Sequence, residues 1–212
     1  KLGGRCKLPI MERHDRTFIK DTGSSSPHMT AKKLHVGIIM DGNRRFAKRL
    51  MLDPSKGHEY GAKKFEEILD WCKEANVGEL TLYTLSLQNL NRPKHELDFL
   101  MALFRKEFDS FMQSDSKIEQ YQLRVRFAGR HDLLPKDIQE KIEAVHEKTK
   151  NYDGFHLNFC FAYGGREELI DSVYRLAEDV KDGKVQPTQV DEDLITSYLS
   201  LPDEPDLVIR TG

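Results

Sequence analysis

The chain alternates two patterns of apolar and polar positions. Short apolar runs at residues 36–40, 80–85, 123–128 and 155–162, and another from Leu207, each lie among turn-forming residues. Runs of this length between such residues predict strands buried on both faces. Between them lie longer stretches with helical spacing. Phe65, Ile68, Leu69, Cys72 and Ala75 recur over 59–76, with Gly78 as the breaker. Over 95–112, Leu97, Leu100, Met101, Phe104, Phe108, Phe111 and Met112 share one broad apolar face. A mixed-charge helix over 137–150, one opened by Tyr163-Gly-Gly-Arg166 and running to about 180, and a short one over 191–199 complete the series. Strands alternating with helix-length segments predict a single α/β domain, with a mainly parallel central sheet and helices on both faces.

The first strand ends at Asp41-Gly42-Asn43, followed directly by the cationic Arg44-Arg45-Phe46-Ala47-Lys48-Arg49. Asp and Asn are good N-caps, so the stretch reads as strand, tight turn and the N-terminus of a cationic helix. Ligands of open α/β sheets sit at such strand ends. Free backbone N–H groups and two arginines there suit an anion, and Asp41 could hold a divalent cation bridging to a phosphate. Each feature alone is more ordinary, since an Asp after a strand is commonly a cap and paired arginines are commonly solvated. Taken together the strand ends say more. They carry Ser86 to Arg92, Gly129-Arg130, Tyr163-Gly-Gly-Arg166 and Arg210-Thr-Gly212, a set suited to several phosphate oxygens. The broad apolar face over 95–112 could line a tunnel beside that edge, so the pair suits an isoprenoid diphosphate. Neither a Walker loop nor a G-x-G-x-x-G occurs.

Composition narrows the partners. Lys and Arg total 33 against 35 Asp and Glu in 212 residues, a net charge of -2, which argues against a general nucleic-acid binder. Phosphate recognition must then be local. The three cysteines, Cys6, Cys72 and Cys160, have no metal-ligand spacing and read as small hydrophobes in a reducing compartment. No apolar run reaches membrane-spanning length. A linker-like composition around 21–27 marks residues 1–33 as a flexible arm and 34–212 as the domain.

These residues resemble the cis-prenyltransferases, the undecaprenyl and dehydrodolichyl diphosphate synthases. The resemblance runs from His35 to Gly212 and rests on several motifs in order. They are His35-Val-Gly-Ile-Ile-Met-Asp-Gly-Asn-Arg-Arg45, Gly57-His58, Leu82-Tyr83, Asn89-Leu-Asn-Arg-Pro93, Leu157-Asn158, Tyr163-Gly-Gly-Arg166 and Asp206-Leu-Val-Ile-Arg-Thr-Gly212. Arg44, where bacterial members usually have Gly, is closer to archaeal and eukaryotic members. The resemblance implies addition of isopentenyl diphosphate to an allylic diphosphate, farnesyl or geranylgeranyl, with a new cis double bond at each step. The product would be a long polyprenyl diphosphate, precursor of a lipid glycosyl carrier such as dolichol. It implies Mg2+ at Asp41, and Gly42, Asn43, Arg44, Arg45, Phe46 and His58 around the allylic diphosphate. Asn89 corresponds to the asparagine assigned to proton removal, and Ser86, Leu87, Gln88, Leu90 and Arg92 to the same substrate loop. Arg210 opens the motif that grips isopentenyl diphosphate. Gln88 replaces a usual Glu, Leu90 a usual aromatic, and Pro54 an Arg of bacterial members.

A homodimer is also implied, cytoplasmic and able to rest on a membrane through its lipid product. The family continues beyond the position of Gly212 with further groups of the metal site, so the chain is expected to be truncated there. Two other readings compete: a non-catalytic partner subunit of the same fold, and an unrelated phosphate-binding α/β transferase. Asp41, Arg45, Asn89 and Arg210 together argue against the first. The D-D-x-x-D of trans-prenyltransferases is absent.

Overall fold

The structure, a computed structural model, describes residues 33–53 and 56–212. The expected arm up to residue 32, with Cys6, and Pro54 lie outside them. Five strands form the sheet: β1 (His35–Ile39), β2 (Glu79–Ser86), β3 (Arg124–Ala128), β4 (His156–Tyr163) and β5 (Leu207–Arg210). The helices are α1 (Asn43–Arg49), α2 (Lys56–Glu74), α3 (Lys94–Phe111), α4 (Lys117–Gln120), α5 (Lys136–Thr149), α6 (Gly165–Lys181) and α7 (Glu192–Ser197). Every strand pair is parallel, in the order β3-β4-β2-β1-β5. The chain therefore leaves β1 towards β2 on one side, and β5 docks on the other. All strand ends share one edge.

Register explains which face is the core. Val36, Leu80, Leu157 and Val125 lie in one row across the sheet, and Ile38, Leu82, Phe159 and Phe127 in another. Both rows face Phe65 and Leu69 of α2, Leu100 and Phe108 of α3, and Ile138 and Val145 of α5 in one buried cluster. The alternate row is polar. His35 Nε2 lies 2.8 Å from Thr81 Oγ1, and the Asn158 amide donates to Glu79 Oε1 at 2.5 Å and Thr81 Oγ1 at 3.0 Å. On that side Glu167 and Glu168 of α6 act on Tyr83 and Cys160. Cys72 and Cys160 are buried free thiols, as their apolar surroundings in the sequence predict.

The sequence expectations hold for every strand and long helix, with shifted ends. Helix α2 begins at Lys56 rather than 59, and the 191–199 helix shortens to Glu192–Ser197. A 3₁₀ turn at Leu87–Asn91 and the short α4 carry no apolar period and were not expected.

Candidate active site

Asp41 leaves β1 and does not cap α1. The cap is Gly42, at φ 89°, with no side-chain cap bond. That left-handed conformation favours glycine, and an added Cβ would meet the Gly212 backbone at 2.6 Å. Asp41 is turned elsewhere. Its Oδ1 accepts the Gly42 N–H at 2.6 Å, and its Oδ2 accepts from Arg210 Nη2 at 2.8 Å and Nε at 3.2 Å. Arg45 Nη2 stands 3.5 Å from the same oxygen. The Arg210 guanidinium first, and the Gly42 amide second, hold the Asp41 carboxyl below the usual range. Parallel pairing of Ile39 with Arg210 brings these distant residues together.

The second element is the turn after β2. Ser86 Oγ accepts the Asn89 N–H at 3.1 Å, and Asn89 Oδ1 accepts the Ser86 N–H at 3.1 Å, a reciprocal capping box. An N–H can be answered only by an acceptor, so the amide oxygen of Asn89 is committed to the turn and its NH2 is left for the cavity.

Below both lies a buried carboxylate the sequence analysis did not single out. Glu96, 5% exposed, sits in the first turn of α3 with Arg92 Nη1 at 3.0 Å, Arg44 Nε at 3.6 Å and His58 Nε2 at 3.8 Å. It ties together α1, α2 and the substrate loop. The four-residue spacing from Arg92 was the available signal. Burial, then the Arg92 charge, pushes the His58 pKa down, so the ring is neutral at pH 7.

These groups rim a cavity of about 670 Å³. Asp41, Gly42, Asn43, Arg44, Arg45, His58, Ser86, Asn89, Arg92 and Arg210 line it at the strand edge. Leu100, Leu103, Phe104, Phe108 and Phe111 of α3 line it with Phe65, Phe159 and Phe161. A cationic mouth thus continues into an aromatic and aliphatic channel, within the size usual for ligand pockets.

Four expected residues are not among the lining. Phe46 is exposed and packs edge-on to Tyr60 at 5.3 Å. Leu87 and Leu90 pack against the core, and Gln88 lies away from the cavity. Two strand-end arginines also do not line the cavity. Arg130 forms a fork with Asp171, Nη2–Oδ1 2.6 Å and Nε–Oδ2 2.9 Å, and Arg166 does not reach the cavity.

The family model described as "Putative undecaprenyl diphosphate synthase" matches residues 39–212. A Thermococcus kodakarensis protein named tritrans,polycis-undecaprenyl-diphosphate synthase (geranylgeranyl-diphosphate specific) is 44% identical over 180 residues, covering 84% of this chain and 68% of the relative. A Methanocaldococcus jannaschii protein of the same name is 46% identical over 182 residues, covering 84% and 65%. Lavandulyl diphosphate synthase from Lavandula x intermedia, solved with dimethylallyl diphosphate, superposes with a TM-score of 0.76 at 30% identity, covering 83% of this chain and 76% of that one. A probable undecaprenyl diphosphate synthase from Campylobacter jejuni gives 0.67 at 31% identity, covering 84% and 74%. With its motifs, sheet and cavity all in that pattern, the chain belongs to the undecaprenyl diphosphate synthase family of cis-prenyltransferases.

Proposed function

We propose that this chain condenses isopentenyl diphosphate with an allylic diphosphate to build a polyprenyl diphosphate. The primer is geranylgeranyl diphosphate, the specificity named for the archaeal relatives. The observation that carries the proposal is the junction of a cationic strand edge with an apolar channel in one cavity. A diphosphate ester of a hydrocarbon has that same division.

In this reading the diphosphate of the primer lies over Gly42 to Arg45, where α1 offers its N-terminal N–H groups and Arg45 its guanidinium. The allylic C–O bond breaks and its electron pair leaves with the diphosphate. The double bond of isopentenyl diphosphate then forms the new C–C bond and a proton is lost. Charge grows on the leaving diphosphate, so fixed cations there lower the barrier. Arg210 and the NH2 of Asn89 hold the isopentenyl diphosphate. With its oxygen bonded to Ser86, Asn89 is a donor to that diphosphate, and the proton goes to an oxygen of a diphosphate, or to a water, that it positions.

Asp41 is the candidate holder of Mg2+. Among the described residues no group of three or more His, Cys, Asp or Glu gathers as a metal site. One carboxylate still fits magnesium, which is commonly bound by one or two carboxylates together with substrate phosphates and water. When bound, Mg2+ supplies positive charge at the leaving diphosphate. Arg210 must then trade its Asp41 contact for substrate.

A homodimer is the assembly proposed. Leu169, Ile170, Val173 and Tyr174 form a stripe on α6, each more than half exposed, which supports it. No helix of the described residues is long and apolar enough to cross a membrane.

The test is incubation of the chain with labelled isopentenyl diphosphate, geranylgeranyl diphosphate and Mg2+. Extended products with new cis double bonds support the proposal. Failure to incorporate label, with the chain folded and the primer bound, contradicts it.

A further inference from the structure

Strand β5 carries Arg210 to the cavity, yet little in its own packing fixes where along β1 it pairs. Among the described residues it is an edge strand, and all four of its residues are exposed. Leu207, Val208 and Ile209 are apolar at three successive positions. Sliding the strand one place, so that Val208 and Ile209 face Ile38 and Ile39, still sets apolar against apolar. Gly37, opposite Val208, has no side chain to resist the slide. A one-residue slip would nevertheless turn every side chain to the other face and take the Arg210 guanidinium away from Asp41. Register must come from polar groups.

Two side chains supply it. Asp206, just before β5, engages both backbone groups of His35. Its N–H donates to the His35 carbonyl at 2.8 Å, and its Oδ2 accepts the His35 N–H at 2.9 Å. His35 is itself fixed, buried with its Nε2 2.8 Å from Thr81 Oγ1 of β2. Beyond β5, Thr211 donates its N–H to the Ile39 carbonyl at 3.1 Å and its hydroxyl to the Asp41 carbonyl at 2.8 Å. The strand is pinned at both ends.

We propose that Asp206 is a positioning residue for isopentenyl diphosphate, because with Thr211 it sets the register of β5 and so delivers the Arg210 guanidinium to the cavity edge. The inference rests on Arg210 holding that diphosphate. Asp206 does not line the cavity and acts only through Arg210. The allylic site is built on the turn after β1 and on α1, so it is indifferent to the register of β5.

The test is calorimetric binding of isopentenyl diphosphate to the chain already loaded with a non-reactive thio analogue of geranylgeranyl diphosphate and Mg2+, with binding of the analogue measured separately. Asp206→Ala should weaken isopentenyl diphosphate about tenfold, the scale of one charge-assisted hydrogen bond, and the analogue by less than about twofold. Asp206→Asn keeps an oxygen to accept the His35 N–H and should restore most of the loss. In an Arg210→Ala background, removing Asp206 should change isopentenyl affinity by less than about twofold, because the two act as one unit. Thr211→Val, which loses only the hydroxyl contact, carries the test if Asp206→Ala does not fold, with the same selective loss expected. Unchanged isopentenyl affinity, equal loss of both ligands, no rescue by Asn, or additive losses with Arg210→Ala would each overturn the role of Asp206. Failure of the unaltered chain to bind isopentenyl diphosphate overturns the reading of Arg210, and the inference with it.

Discussion

Arg210, at the end of β5, holds the carboxylate of Asp41, at the end of β1, through Nη2 at 2.8 Å and Nε at 3.2 Å. The two are 169 residues apart and meet only because β5 pairs with β1 in parallel register. Without substrate the guanidinium has a carboxylate to hold; in the proposed reading it turns to a diphosphate when substrate binds. The proposed chemistry needs that exchange.

Arg210→Ala should lower kcat/KM for isopentenyl diphosphate about 100-fold or more, the scale of losing one preorganised charge contact. Affinity for the allylic substrate should stay within about threefold, since Arg45 and the α1 N-terminus remain. Arg210 also depresses the Asp41 carboxyl. The acid limb of the rate profile should therefore move to higher pH in the variant. Steady-state kinetics against pH would show it, and an unmoved limb would separate Asp41 from that titration.

Asn89→Asp keeps an oxygen to accept the Ser86 N–H but replaces the NH2 donor with an anion. The expected loss is about 100- to 1000-fold in kcat/KM, with the melting temperature little changed. Ser86→Ala should do the reverse in kind, costing about 1 kcal/mol of stability through the lost cap. If Asn89→Asp turned over like the unaltered chain, Asn89 would not be a donor to substrate.

Glu96 is buried against Arg92, with Arg44 and His58 close by. Breaking a buried ion pair from one side leaves the other charge without its partner. Glu96→Gln should cost about 3 kcal/mol, the low end for breaking a buried pair, because Arg44 is half exposed. For a domain of this size that is a fall of about 5–10 °C in Tm, readable by calorimetry.

Three histidines, His58, His131 and His156, have pKa values pushed down, each chiefly by burial. The unfolded chain, with histidines near 6.5, then takes up protons first as pH falls. Their contribution to stability is complete above about pH 6.5 and is lost as pH falls through the lowered folded values. The urea midpoint should drop between pH 7 and 5, before the carboxylates titrate. His131→Gln should flatten the slope, and a midpoint constant over that window would contradict the assignment.

The central architecture was legible in the sequence because the strands are short apolar runs stopped by turn residues, and their length and flanks, rather than their periodicity, set them apart from helices. The cationic turn at Asp41 to Arg45 was legible for the same reason. Other features depend on distant partners. Arg130 looks like any strand-end arginine until Asp171 of α6 is seen to occupy it. Glu96 reads locally as an acid favourable at a helix N-terminus, and its partners Arg44 of α1 and His58 of α2 are distant in the sequence. Asp41 resembles an N-cap, but the backbone spends that turn on Gly42 instead.

The most direct test of the strand-end diphosphate site is calorimetric titration with a non-reactive thio analogue of geranylgeranyl diphosphate, comparing the chain with Asp41→Ala and Arg45→Ala. The account predicts micromolar binding, retained within a few-fold in Asp41→Ala and lost by about 100-fold in Arg45→Ala. Equal losses in the two variants, or binding indifferent to Arg45, would contradict the division between anion anchor and metal holder on which the account depends.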